Sequence, residues 1–368
     1  MKVLFKTNEL IAKIKNIAPT AEAKQTLAIL GNLLVKVSGE KAKFMASDLE
    51  IEIMSEVSCE SDQDGDFSIP ARKFLEICNA LSSHDEIEVS LSENRADVIA
   101  GKSKVSLPTL PADDFPIMSF DEPESKSEIA VSELSCLINK TYFAMAYQDA
   151  RHFLNGLHLC TENDKLISVC TDGHRMSKYE SETVCKTDIS IIIPRKAILE
   201  INRILSAFNQ SSEKITEFSV NKNSFQITIN DYLVTTKLIE GNYPNFNKVI
   251  PPETKSKIVV NKAIFKSSLN IISKVVNQQY KGVKLTPTSN ALHLITSNTD
   301  SEVGEDEIEA SYDGEQTSIG FNISYIQDVI ETIESEDVEI RINDQNSGCI
   351  VSGSSDTNSI FVIMPMRV

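Results

Sequence analysis

The residues best suited to chemistry stand in one short run, TDGHR at 171–175. A histidine two positions after an aspartate has the makings of a general base and its orienting carboxylate, as hydrolases use. His174 and Asp172 therefore define one function class, a hydrolase. The chain offers no convincing nucleophile, second catalytic base or metal set to complete it. Its seven cysteines (Cys59, Cys78, Cys136, Cys160, Cys170, Cys185 and Cys349) form no CxxC pair and no Cys/His cluster. That argues against structural zinc or a disulfide framework, so no metal and no cofactor are expected. In the run VIMPMRV at 362–368, Met364 and Met366 suit the core of a last strand.

Charge gives a second set of candidates. The net charge of −17 argues against a nucleic-acid partner, because phosphates repel an acidic surface. Its distribution reverses that inference. Six segments with helical apolar spacing, at 7–17, 70–81, 132–141, 194–205, 261–274 and 322–334, carry +1, +1, 0, +2, +3 and −3. Together they reach +4, which leaves −21 for everything else. Lysines at this density also occur on ordinary solvated helix faces. Only convergence on one surface would make them a phosphate-binding lining.

The elements that would position these groups repeat three times. First helices begin at Thr7, Ser132 and Asn261, each an expected N-cap, and second helices at Pro70, Pro194 and Asn322. The two starts lie 63, 62 and 61 residues apart within a copy, and copies are offset by 124 to 129. Between them, segments such as LLVKVSG, EIEVSLS, RADVIAG, KSKVSLPTL, EFSVNKNSFQITIN, YLVTTKLIEG and ALHLITSN alternate apolar with polar residues and end at turn formers. Alternation implies antiparallel sheets with one wet face. Helices this sparse do not fit βαβ winding. The fold class is α+β: three repeated domains at 1–124, 125–250 and 251–368, with antiparallel sheets backing two helices each. Boundaries fall at FDEPESKS (120–127) and PPETKS (251–256). The amino terminus lacks a signal-peptide apolar region and no run approaches a membrane span, so a cytoplasmic protein without a membrane partner is expected.

The motifs TLAILGNLLVKV, ASDLEIEI, SLPTLPADDFP, MAYQDARHFLNG, CTDGHRMSKYE, IIIPRKAILE, LIEGNYPNFNKVIP, GVKLTPTSNALHLIT and VIMPMRV run through all three repeats. In content and order the chain resembles the bacterial DNA polymerase III beta subunit family, the DNA sliding clamps. The resemblance implies a homodimeric ring of two head-to-tail protomers, sheets outside and helices lining the hole. Such a ring encircles duplex DNA without reading its sequence and tethers the replicative polymerase for processive synthesis, with no catalysis of its own. It implies further partners: the clamp loader complex, the DNA polymerase III alpha subunit, other polymerases and repair proteins carrying clamp-binding motifs.

By motif match the peptide groove would comprise Leu154, Thr171, Gly173, His174, Arg175, Met176, Pro244, Val249, Val362, Met364, Pro365, Met366 and Arg367, with Arg175 and Arg367 as polar anchors. DNA contact would fall to Lys24, Arg72, Gln148, Arg151, Lys196 and Lys248. The dimer interface would use Val105 and Leu107 on an apolar edge strand, facing Val275 and Val276. The chain departs from the family pattern at Lys24-Gln25 and Ala28, where Arg-Asn-Thr and a proline are common; lysine keeps the charge and loses the bidentate fork. His152-Phe153 replaces a tyrosine pair, and Asn247 stands where a basic residue often precedes Lys248. A protein-only scaffold that never admits DNA is the other alternative to the hydrolase.

Overall fold

The structure is a computed structural model that describes residues 1–21, 27–208, 213–277, 281–315 and 317–367. The expected helix–sheet repeat is visible in the order of elements. The first repeat holds β1 (Lys2–Lys6), α1 (Thr7–Ile17), β2 (Asn32–Ser38), β3 (Lys41–Ser47), β4 (Ile51–Ser61), β5 (Gly65–Pro70), α2 (Ala71–Ala80), β6 (Glu86–Ser92), β7 (Arg95–Ala100) and β8 (Ser103–Pro108). The second holds β9 (Ser125–Ala130), α3 (Val131–Asn139), β10 (Gly156–Glu162), β11 (Lys165–Thr171), β12 (Arg175–Val184), β13 (Ser190–Pro194), α4 (Arg195–Ser206), β14 (Ile215–Val220), β15 (Ser224–Ile229) and β16 (Tyr232–Lys237). The third holds β17 (Ser256–Asn261), α5 (Lys262–Ile272), β18 (Gly282–Pro287), β19 (Ala291–Ser297), β20 (Val303–Tyr312), β21 (Ile319–Asn322), α6 (Ile323–Thr332), β22 (Asp337–Ile342), β23 (Cys349–Gly353) and β24 (Ser359–Ile363).

All recorded strand pairs are antiparallel, as the alternating pattern requires. In the first repeat the strands join in the order β8-β7-β6-β1-β4-β3-β2-β5. The third repeats that order as β24-β23-β22-β17-β20-β19-β18-β21. The middle repeat is divided: β9 and β14–β16 continue the first sheet through β4, while β10–β13 continue the other through β24. The chain accordingly forms two compact units, Met1–Ser132 with Lys196–Leu238, and Glu133–Arg195 with Ile239–Val368.

Each helix lays an apolar stripe on its sheet. In α1 the buried residues Leu10, Ile14 and Ile17 recur at helical spacing, and in α4 Ile198, Ile201 and Leu205 do the same. Each such side chain contributes roughly 1.5–3 kcal/mol on burial. Beneath the first repeat Phe5, Phe44 and Phe74 form an aromatic ladder with ring centroids 5.6 and 6.4 Å apart. Under the third, Phe265, Leu269, Phe321, Ile330 and Phe361 share one core.

Helix starts separate into two kinds. Asn261 and Asn322 are true N-caps, the first accepting from the backbone N–H of Ala263 and Ile264, the second from Ser324. Thr7 and Ser132 are corrected: Thr7 is the first residue inside α1, with its hydroxyl buried and unpartnered, and Ser132 is the second residue of α3. The residue just before each of these two helices is Lys6 or Ala130, whose side chain has no acceptor to offer the first helical N–H groups. Among the described residues no helix is long and apolar enough to cross a membrane, and no His, Cys, Asp or Glu group is arranged to hold a metal ion.

Candidate functional site

The 171–175 run is a tight turn joining β11 to β12, and its polar atoms are spent on itself. Asp172 Oδ1 accepts from the backbone N–H of His174 at 2.9 Å and of Arg175 at 3.0 Å. Thr171 Oγ1 donates to the Arg175 carbonyl at 2.6 Å and accepts from Gly173 N at 3.0 Å. Gly173 sits at φ +88°, and a Cβ there would lie 2.9 Å from an Arg151 guanidinium nitrogen, so the turn requires glycine. The second Asp172 oxygen takes Arg175 Nε at 3.1 Å. Thus Asp172 orients Arg175 and the turn backbone, while the His174 side chain points outward, exposed.

Arg175, expected to be a ligand anchor, is engaged by its own unit. Its side chain is only 11% exposed. One guanidinium nitrogen pairs with Asp328 on α6, and another donates to the Phe143 carbonyl at 2.7 Å. The plane lies over the rings of Tyr325 (4.4 Å) and Phe143 (5.4 Å). A planar cation with donors in a fixed fork suits such a site. It ties the turn to α6 and to the 142–144 segment.

Around the turn the structure assembles an apolar floor with an exposed rim. Met176 and Val362 face each other across the β12–β24 pair and share a buried cluster with Cys160, Ile167, Val169 and Phe246. Tyr243 and Ile250 pack against that cluster. Val249 and Met364 are 46% and 38% exposed, although apolar. Met364 N donates to the His174 carbonyl at 2.9 Å and Met366 N to the Gly320 carbonyl at 2.8 Å, which pins the tail beside the turn. Pro244, Met366, Gly173 and Arg367 are exposed, Pro365 and Thr171 half-buried. Leu154 is buried and its carbonyl accepts from Ala146 N at 3.0 Å, fixing the 146–154 loop.

Sequence reading missed Tyr243, Phe246 and His158, the last stacked on Tyr243 with centroids 4.5 Å apart. Burial pushes the Tyr243 hydroxyl up and the His158 imidazole down from their ordinary pKa values, so both are neutral packing groups. The aromatic pair in NYPNF was the available signal for Tyr243 and Phe246.

The expected DNA contacts fall in both units. Lys24 lies outside the described residues. Arg72 is exposed on α2. Lys196, on α4, pairs with the buried Asp48. In the second unit Gln148 is exposed at φ +55° and Lys248 is exposed. Arg151 grips both oxygens of Asp149, at 3.1 and 2.9 Å, and holds that carboxyl down to about 2. Because Arg151 also packs on Gly173, it belongs to the rim of the turn.

On the edge strand β8, Val105 is 38% exposed and Leu107 only 8%. Leu107 pairs with Ala96 and faces its own unit's core, so Val105 is the more accessible apolar edge residue. Val275 and Val276 follow α5 and are half-buried; Val276 packs on the third-repeat core. Ile271 on α5, 61% exposed, was overlooked.

Comparison with known proteins matches this arrangement along its whole length. The N-terminal, central and C-terminal domain models of the DNA polymerase III beta subunit match residues 1–119, 128–245 and 247–367. The beta sliding clamps of Proteus mirabilis and Escherichia coli K12 are 33% and 30% identical, each alignment covering 100% of both chains. The crystal structure of the Pseudomonas aeruginosa beta subunit superposes with a TM-score of 0.93 at 31% identity over 100% of both chains. Another solved P. aeruginosa clamp, also 31% identical with a TM-score of 0.93 and full coverage of both chains, was determined bound to griselimycin. The fold and the turn-centred site define a three-repeat DNA clamp. The chain belongs to the DNA polymerase III beta subunit family, the beta sliding clamps. That family is a non-catalytic processivity factor, and the hydrolase alternative on His174 and Asp172 falls with it.

Proposed function

We propose that two copies of this chain close head to tail into a ring around duplex DNA and hold the replicative polymerase there. Its three domains would span 1–124, 125–250 and 251–368, and it would work in the cytoplasm. The observation that carries the ring is a pairing rule used twice within the chain. Residues 51–55 of β4 pair with 232–236 of β16, and 175–179 of β12 pair with 359–363 of β24. The matching strands left over are β20 of the third repeat and β8 of the first. Among the described residues neither has a partner of this kind.

The turns before the three strands are equivalent. Asp48, Asp172 and Asn298 each accept backbone N–H groups two to four residues on, and each donates its own N–H to the carbonyl of Ile51, Arg175 or Glu302. Carrying the β4–β16 register over sets Gly304 opposite Val105 and Glu305 opposite Lys104 of the second copy. β20 also carries Asp306, Glu307 and Glu309, and the one cation of β8, Lys104, which pairs with Asp97 in its own sheet at 2.9 Å, would face that acidic strand. A heterologous contact of this kind closes into a ring when its rotation does. Lys104→Cys with Glu305→Cys should oxidise to a covalent dimer on a non-reducing denaturing gel, whereas a single monomer band would contradict the register.

Within the ring, Lys24, Arg72, Gln148, Arg151, Lys196 and Lys248 would meet the phosphates. Prior pairing of Arg151 with Asp149 and Lys196 with Asp48 keeps that contact weak. Weak contact favours sliding, since each neutralised phosphate adds affinity and salt dependence. The groove around Met176, Val362, Val249, Met364 and Met366 would receive short apolar motifs from the clamp loader, the polymerase III alpha subunit, other polymerases and repair proteins.

A further inference from the structure

Two junctions inside the chain share a charge device, and the proposed junction between copies lacks it. In the first unit Arg203, in the last turn of α4, pairs with Glu200 of its own helix and donates to the Lys15 and Asn16 carbonyls and to Asn16 Oδ1, in the last turn of α1. In the second unit Lys140, just past α3, donates from Nζ to the Thr332 carbonyl at 2.8 Å, at the end of α6, and to Glu334 at 2.9 Å. In both places two helix C-termini meet. Each end carries about half a negative charge and unsatisfied carbonyls, so the ends repel until a cation stands between them.

Counting from helix starts identifies the third junction. Position ten is Asn16 in α1, Lys140 beyond α3 and Ile271 in α5. Position nine of the second helices is Arg203 in α4, Glu331 in α6 and Asn79 in α2. A junction between copies would therefore bring Ile271 of α5 against Asn79 of α2 from the second copy, with a cation at neither position. Exposure agrees with an unfilled junction: Asn16 and Lys140 are 6% and 7% exposed, Ile271 61%. The nearest basic residue, Lys274, lies beyond the helix end at Ile272 and is exposed.

We propose that the seam between copies is a third junction of this type from which the bridging cation is missing, so that no charged side chain joins its facing helix C-termini. This makes it the weakest of the three helix-end junctions. The inference rests on the ring reading above. Asn79→Arg, which copies Arg203 into the equivalent exposed position, should lower the dimer dissociation constant at least tenfold, and rising salt should erode that gain. Ile271→Lys, copying Lys140, should act in the same direction. Sedimentation over a dilution series reads both. If neither variant tightens the dimer, or if Lys274→Ala loosens the wild type tenfold because a cation already fills the seam, the proposal is overturned. The ring reading has its own control: Ile271→Asp, at a position too exposed to endanger the fold, should give monomers. A fully dimeric Ile271→Asp protein would overturn the seam itself and with it the ring.

Discussion

Arg175, expected as a polar anchor of the groove, is already engaged within its own unit. An arginine beside an apolar groove invites the role of ligand anchor, but partners far away in sequence, Asp328, Tyr325 and the Phe143 carbonyl, occupy it. Its work is to hold the 171–175 turn in register with α6. Arg175→Ala should cost about 2 kcal/mol, discounted because Asp328 is 45% exposed, and should also weaken binding of a clamp-motif peptide. Chemical denaturation and fluorescence anisotropy would measure the two. Unchanged stability and affinity would sink this account. Glu52 makes a pH prediction. It is 6% exposed and accepts from Met118 N at 2.9 Å, and burial raises its carboxyl above the ordinary 4.5. A folded-state pKa above the unfolded one means that Glu52 favours the fold below the carboxylate range and loses that contribution as pH rises through its folded pKa. Glu52→Gln keeps an acceptor for Met118 and should melt higher than wild type at pH 7–8, with no advantage near pH 4. An equal difference at both pH values would refute the sign.

Elements were legible where their cause is local. The alternation in EIEVSLS, RADVIAG and YLVTTKLIEG became β6, β7 and β16, and the helical stripes became α1 to α6. Residues 43–59, KFMASDLEIEIMSEVSC, carry a nearly unbroken strand pattern, yet Asp48 turns the chain there by accepting from Glu50 and Ile51, giving β3 and β4. Caps were half legible, because a one-residue shift of the helix start decides whether the acceptor stands just before the helix, as Asn261 and Asn322 do, or inside it, as Thr7 and Ser132 do. Asn261→Ala should cost roughly 1 kcal/mol through two lost backbone acceptances. Thr7→Val, by contrast, removes a buried unpartnered hydroxyl and should be neutral or stabilising. Thermal unfolding of the two variants compares them directly, and an equal loss in both would restore Thr7 as a cap. The groove was partly legible: 171–176 and 362–367 announce themselves, but their adjacency comes from the β12–β24 pairing, which no local signal encodes.

At the scale of the molecule, the threefold repetition of strand order is the feature from which function follows. Each join inside the chain pairs the start of an interior strand of one repeat, β4 or β12, with the last strand of another, β16 or β24. Under that rule β20 and β8 are left over, and head-to-tail closure through a second copy would pair them without a new kind of contact. The charge distribution fits the same design. An acidic chain of net −17 with weakly basic helices would hold DNA by topology rather than adhesion. The most direct test is retention on nicked circular DNA after loading by the cognate clamp loader with ATP, followed by linearisation. Encirclement predicts stable retention on circles and rapid loss through the free ends; equal retention on circular and linear DNA, from a demonstrably active loader, would contradict it.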